Sequence, residues 1–189
     1  MFNGKNLPKY CYMTNREKYK FDYFTISHYR ELVQLAKDQG FQFILHKDEF
    51  VPERKDIIWR HDVEFSPDIA LQMAEIEHEL DVQATYFFQI HSEFYNTLER
   101  YMSDILRKIQ SLGHHIGLHY DSHYYDVQDE ETLERTIRQD KAYFEQVFGF
   151  ELDTFSFHET TPFILGCEKD QYGGMLNVYS KKIKSNYQY

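Results

Sequence analysis

Apolar positions along the chain recur in two rhythms, one typical of helices and one typical of strands. Four segments show helical spacing, and three of them end at a glycine, which readily takes the left-handed conformation that closes a helix. The fourth opens at Ser66-Pro67, an N-cap followed by a favoured first helical residue. The predicted helices span residues 28–39, 67–80, 98–112 and 133–148.

Short apolar runs between these segments predict buried strands, because they are rich in aromatic and β-branched residues. The candidate strands are residues 56–60, 84–90, 115–119, 152–157 and 175–179. Strands that alternate with helices predict βαβ units and a parallel sheet, either open or closed into a barrel. In both cases a functional site is expected at the C-terminal ends of the strands.

Histidine recurs at these strand ends, and carboxylates accompany it. The polar residues at the four ends are Arg60, His61, Asp62 and Glu64; His91 and Ser92; His119, Tyr120, Asp121 and His123; and His158 and Glu159. Because parallel strands end at one edge of the sheet, this recurrence predicts one shared site.

A metal site is the chemistry that these residue types favour. His119 and His123 are four residues apart, and two imidazoles with one carboxylate make the ligand set of a catalytic zinc. Either Asp62 or Glu64 would complete the set, while the other takes a proton from water. A His-x-x-x-His pair also arises by chance in a chain with ten histidines, but the carboxylates at another strand end favour the metal.

The remaining polar residues at the strand ends have more than one interpretation. Arg60 is expected to hold a carboxylate in place, and His61 alternates away from Asp62 toward the helix layer. His91 and His158 are each a candidate orienting group, acid or buried histidine.

Aromatic residues near the strand ends have two interpretations as well. Tyr120, Tyr124 and Tyr125 form either a wall that stacks on sugar rings or ordinary loop packing. His114 follows a helix-ending glycine at the opposite end of its strand, so a structural role is expected for it.

Composition narrows the class of protein. The 189 residues carry a net charge of -10, which argues against a general nucleic-acid binder, and we expect one domain over 1–189. No apolar stretch is long enough for a membrane span, and the polar N-terminus lacks a signal-peptide core. The spacing of Cys11 and Cys167 does not match that of metal ligands. The two cysteines either form a disulfide or are incidental thiols of a cytoplasmic protein. We expect the cytoplasmic location.

Residues 22–180 resemble the NodB-homology polysaccharide deacetylases, and in particular a divergent subgroup associated with surface-polysaccharide biosynthesis. The family's first motif ends a strand in two adjacent aspartates, and the match is Ile57–Glu64. Asp62 falls on the catalytic base, whereas Val63 replaces the metal-binding aspartate and Glu64 is the nearest substitute, so both carboxylates stay metal candidates.

The second and third motifs of the family are matched further along. Gly113–His123 follows the second motif, and His119 and His123 fall on its metal-binding histidines, with Asp121 a stand-in for the latter. Phe157–Phe163 matches the third motif loosely, with His158 in the region of its arginine. The family's later motifs, including the one that supplies the general acid, have no counterpart in this sequence.

The resemblance implies an α/β fold, an incomplete or distorted (β/α) barrel that lacks its C-terminal part. It implies metal-dependent removal of N-acetyl groups from amino sugars of a polysaccharide or its precursor, with a divalent metal, zinc by expectation. The implied residues are Asp62 and His158 for catalysis, Asp62, Glu64, His119 and His123 for metal, and His91, Arg60 and Tyr120 for substrate.

Two other functions stay open at this point. One is a degenerate or truncated member of the same fold that binds saccharide or metal without turnover, which Val63 favours. The other is a metal phosphoesterase, for which only Arg60 offers a basic lining. The expected partner is a carbohydrate, and an exposed barrel edge predicts a homodimer or another covering partner.

Overall fold

Strands and helices alternate along the computed structural model, which describes Lys18 and residues 24–187. The first part contains α1 (Ile26–Asp38), β1 (Gln42–Ile44), β2 (Asp56–Ile58), β3 (Arg60–Val63), α2 (Pro67–Glu79), β4 (Thr85–Phe88) and α3 (Arg100–Ser111). The second part contains β5 (His115–Asp121), α4 (Glu130–Phe148), β6 (Thr154–His158), α5 (Pro162–Leu165), β7 (Gln171–Tyr172), β8 (Met175–Asn177) and α6 (Lys181–Asn186).

A six-stranded sheet in the order β3-β4-β5-β6-β8-β7 organises the fold, and β1 and β2 form a separate parallel pair. Each neighbouring pair in the larger sheet is parallel except β7 and β8. The prediction of a parallel α/β fold is therefore confirmed. Among the described strands, hydrogen bonds do not close this sheet into a barrel.

Capping residues account for the helix boundaries. Ser66 accepts a hydrogen bond from the backbone N–H of Ile69, and Pro67 opens α2. Gly149 ends α4 with a φ of 78°, a conformation that side chains other than glycine rarely adopt. The start of α2 and the end of α4 are therefore where the sequence predicts them, whereas α4 begins at Glu130, three residues before the predicted start.

The strand predicted at 56–60 is divided in the structure. β2 pairs with β1 and β3 pairs with β4, so the chain passes from one sheet to the other at Trp59. The short elements β1, β7, α5 and α6 were not predicted, because two to six residues are too few to show a period.

The two faces of the six-stranded sheet differ in polarity, since side chains alternate along each strand. One face packs on the helices and supplies the apolar core, with Tyr86, Phe88, Leu118, Phe155 and Phe157 among its members. The other face carries the polar residues of the candidate site.

A glycine allows close packing on this second face. Phe87 lies opposite Gly117 in the register of β4 and β5. A Cβ atom on Gly117 would lie only 2.5 Å from two carbon atoms of the Phe87 ring, so the ring occupies space that only glycine leaves.

The described residues bear on two further expectations. No helix among them is both long and apolar enough to cross a membrane. Cys167 is buried, and Cys11 lies outside the described residues.

Candidate metal centre

Glu64, His119 and His158 converge at the C-terminal edge of the sheet. Glu64 directly follows β3, His119 belongs to β5, and His158 is the last residue of β6. Glu64 Oε1 lies 3.1 Å from His119 Nε2 and 3.3 Å from His158 Nδ1. One donor atom from each of the three residues lies within 4.8 Å of the others, and we call these residues the triad.

The surroundings of Glu64 and His119 favour the protonation states of metal ligands. Burial raises the pKa of the Glu64 carboxyl, but the hydrogen bonds and charges of His119 and His158 outweigh it, and the pKa is below its ordinary value. Burial also lowers the pKa of His119, against the raising effect of Asp62 and Glu64. An ionised carboxylate and a neutral imidazole are the forms that bind a cation.

The spacing of the donor atoms also fits a cation. Ligand atoms bound tetrahedrally to zinc lie about 3.3 Å from one another, given metal–ligand bonds of about 2.0–2.1 Å. The two triad distances of 3.1 and 3.3 Å are close to this value. Other histidine–carboxylate pairs among the described residues range from 2.6 Å for His61 with Glu77 to 3.9 Å for His123 with Glu159.

Asp62 lies beside the triad and outside it. Its carboxylate forms an ion pair with Arg60, whose guanidinium also donates to Ser156 Oγ at 2.8 Å. The guanidinium carbon lies 5.2 Å from the Phe87 ring centroid and 5.8 Å from that of Tyr179. Arg60 is therefore held on two sides, and it orients the Asp62 carboxylate as the sequence suggests.

His123 is not one of the three clustered residues and lies in the turn that follows β5. Its side chain is 48% exposed, and Nδ1 is 3.6 Å from Asp121 and 3.9 Å from Glu159. Asp121 Oδ1 accepts the backbone N–H of His123 at 2.9 Å, which fixes the turn. Residues four apart share a face on a helix, but His119 lies in an extended strand. The structure brings His158 to His119 instead.

Two residues predicted to bind substrate pack in other places. His91 stacks on Tyr124 with ring centroids 3.6 Å apart, and its Nε2 lies 3.1 Å from the Tyr125 hydroxyl. Tyr120 is fully buried on the helix side of β5, and its hydroxyl bonds to Thr136. In the described part of the chain, these contacts of His91 and Tyr120 do not involve a residue of the triad.

Two other histidines have the structural positions expected of them. His61 faces the helix layer and pairs with Glu77 of α2. His114 is buried, and its Nε2 lies 2.9 Å from the backbone oxygen of Ala74. Glu77 itself was not singled out in the sequence, although it lies four residues after Met73 on a helix with a mixed apolar face.

No family model and no curated protein matches the sequence. Among solved structures, the fold is similar to that of the Streptococcus pyogenes deacetylase PplD in complex with acetate, with a TM-score of 0.55 and 14% sequence identity. The match covers 75% of this chain and 66% of the deacetylase chain, so this chain spans less than two thirds of that protein. At this identity the likeness shows a shared fold.

Proposed function

We propose that this protein is a metal-dependent deacetylase that removes N-acetyl groups from amino sugars of a polysaccharide or its precursor. The observation that carries the proposal is the triad, with Asp62 beside it, at the edge of the sheet where α/β enzymes place their sites. The similarity in fold to a deacetylase supports the reaction class. We further propose that the sheet is an incomplete barrel of the polysaccharide deacetylase type.

Glu64, His119 and His158 hold the cation in this proposal, and their mixed oxygen and nitrogen donors suit zinc. A bound divalent cation supplies a Lewis acid for the acetyl carbonyl and lowers the pKa of water. Because His158 Nδ1 faces Glu64, we assign His158 to metal binding in preference to the acid role that its place in the sequence suggests.

Asp62 acts as the general base, because its carboxylate lies on the same strand face as Glu64 and is not part of the triad. Arg60 pairs with this carboxylate and orients it. Asp62 takes one proton from the attacking water and returns it to the leaving nitrogen, so that acetate and a free amine are the products.

A binding protein without turnover is the second candidate, and one observation favours it. Val63 occupies the position of the family's metal-binding aspartate, is buried, and points away from Asp62. In this alternative the triad still holds a cation, whereas acetate is not released.

The test uses the full chain and N-acetylated chito-oligosaccharides. We expect about one divalent ion per chain, acetate release, loss of both after chelation, and recovery with zinc. Metal binding without acetate release from this or other N-acetylated glycans supports the second candidate. Protein that holds no divalent ion after incubation with zinc contradicts both candidates.

A further inference from the structure

A buried carboxylate lies on the side of the sheet opposite the triad. Glu77 of α2 is fully buried, and both of its oxygens are engaged. Oε1 accepts from the Tyr29 hydroxyl and lies 2.6 Å from His61 Nε2, and Oε2 accepts from the Tyr86 hydroxyl at 2.6 Å. A buried charge is tolerated only when it is bonded in this way, so the arrangement is specific.

The network extends along β3 and into its neighbours. The indole N–H of Trp59 donates to the Tyr29 hydroxyl at 2.7 Å. We call the five residues Tyr29, Trp59, His61, Glu77 and Tyr86 the Glu77 hub. The hub joins α1, α2 and β4 to the start of β3.

β3 has less backbone support than the other strands of the site. It is the edge strand of the six-stranded sheet, with β4 as its one neighbour there, and the chain enters it from another sheet at Trp59. β5 and β6, which carry His119 and His158, have hydrogen-bonded strands on both sides. Glu64 therefore depends more than the two histidines on side-chain anchoring.

Side-chain alternation connects the hub to the site. Trp59 and His61 point toward the helices, while Arg60 and Asp62 point to the opposite face. Anchoring Trp59 and His61 thus fixes the rotation of β3 about its own axis. We propose that Glu77, through this anchoring, is the positioning residue that places Glu64 within ligand distance of His119 and His158. The inference rests on the proposed function, since it takes the triad as the metal site.

Glu77→Gln in the full chain tests the proposal. The amide has almost the volume of the carboxylate, but it cannot accept from three donors through two oxygens. Asp140→Asn is the matched control, because Asp140 is a buried carboxylate on α4 that accepts from Tyr125 and does not touch β3. The measurements are zinc affinity by chelator competition, the visible absorption of bound Co²⁺, and hydrogen exchange of the β3 amides.

We expect Glu77→Gln to weaken zinc binding by about 10- to 100-fold, the usual cost of removing a group that orients ligands. The Co²⁺ spectrum should change, and β3 should exchange faster. Asp140→Asn should leave all three unchanged. A folded Glu77→Gln variant with wild-type zinc affinity and spectrum overturns the proposal and leaves the proposed function standing. If the wild-type chain binds neither ion, the proposed function fails and the positioning role fails with it.

If Glu77→Gln does not fold, Tyr86→Phe gives the same test with a smaller change, since it removes one donor to Glu77. Weaker zinc binding by Tyr86→Phe supports the hub, and unchanged binding with unchanged β3 exchange contradicts it.

Discussion

Glu64 Oε1 lies 3.1 Å from His119 Nε2 although β4 separates the strands that carry the two residues. Phe87 belongs to β4 and lies opposite both Asp62 and Gly117 in the strand registers. The Arg60 guanidinium lies over the Phe87 ring. The site thus spans four neighbouring strands, β3 to β6, and Gly117 leaves room for the Phe87 ring on the face that carries the site.

Asp62 of β3 and Glu64, which directly follows that strand, should have different roles: Glu64 in metal binding and Asp62 in proton transfer. We expect Glu64→Gln to lose the divalent ion, because the amide is a poor replacement for an anionic ligand. Asp62→Asn should keep the ion and lose activity by about 100-fold or more, the contribution typical of a general base. Metal content and acetate release on the same samples check both. The opposite pattern would assign the ligand role to Asp62.

The two candidate second histidines can be compared in the same way. We expect His158→Ala to weaken zinc binding by more than about 100-fold, because a direct ligand contributes more than the groups that orient it. His123→Ala should bind zinc as the unchanged chain does, since His123 is half-exposed and faces Asp121 and Glu159. Chelator competition measures both affinities. Loss of zinc from His123→Ala alone would contradict the triad.

Tyr120 should contribute to stability rather than to substrate binding. Tyr120→Phe removes a buried hydroxyl and leaves Thr136 without one partner, so we expect a loss of about 1 kcal/mol in the free energy of unfolding. The KM for an N-acetylated oligosaccharide should not change. Urea unfolding and steady-state kinetics supply the two readouts, and a raised KM with unchanged stability would support the sugar-binding wall.

His46 should make the fold sensitive to mild acid. Burial, followed by the charges of Arg60 and His115, lowers the pKa of His46 to about 3. The unfolded chain binds a proton at His46 near its ordinary pKa of about 6.5. The stability that His46 confers is therefore complete above about pH 6.5 and falls as the pH drops toward about 3.

His46→Gln provides the comparison, because glutamine does not titrate. Between pH 7 and about pH 5 the unchanged chain should lose about 2 kcal/mol more unfolding free energy than the variant. Urea unfolding at several pH values gives both curves. Parallel curves for the two proteins would show that His46 takes up a proton in the folded state as readily as in the unfolded one.

Local sequence signals predicted most of the fold. Ser66 and Gly149 mark helix ends because capping depends on neighbouring residues alone. The break at Trp59 has no such signal, because it depends on which strand the chain pairs with on each side. Three-residue strands such as β1 are likewise fixed by pairing and not by their own composition.

The position of the candidate site at the strand ends follows from the sequence, and the roles of its residues stay predictions. The strand-end rule indicates that Glu64, His119 and His158 share one edge, but the sequence predicted His123 as the second histidine ligand and His158 as a catalytic residue. The choice between the two histidines depends on the register of β5 against β6, which sets Asp121 opposite His158. For Tyr120 a signal was present, since adjacent strand residues face opposite sides and His119 faces the site.

Trp59 gives the hub a spectroscopic use. It is the single tryptophan of the chain, and its indole donates to Tyr29 at the point where β3 begins. Tryptophan emission from this protein therefore arises at one known position, beside the strand that supplies Glu64. A shift of that emission on adding zinc would show, in the intact chain and without a label, that metal binding on one face of the sheet changes the surroundings of Trp59 on the other.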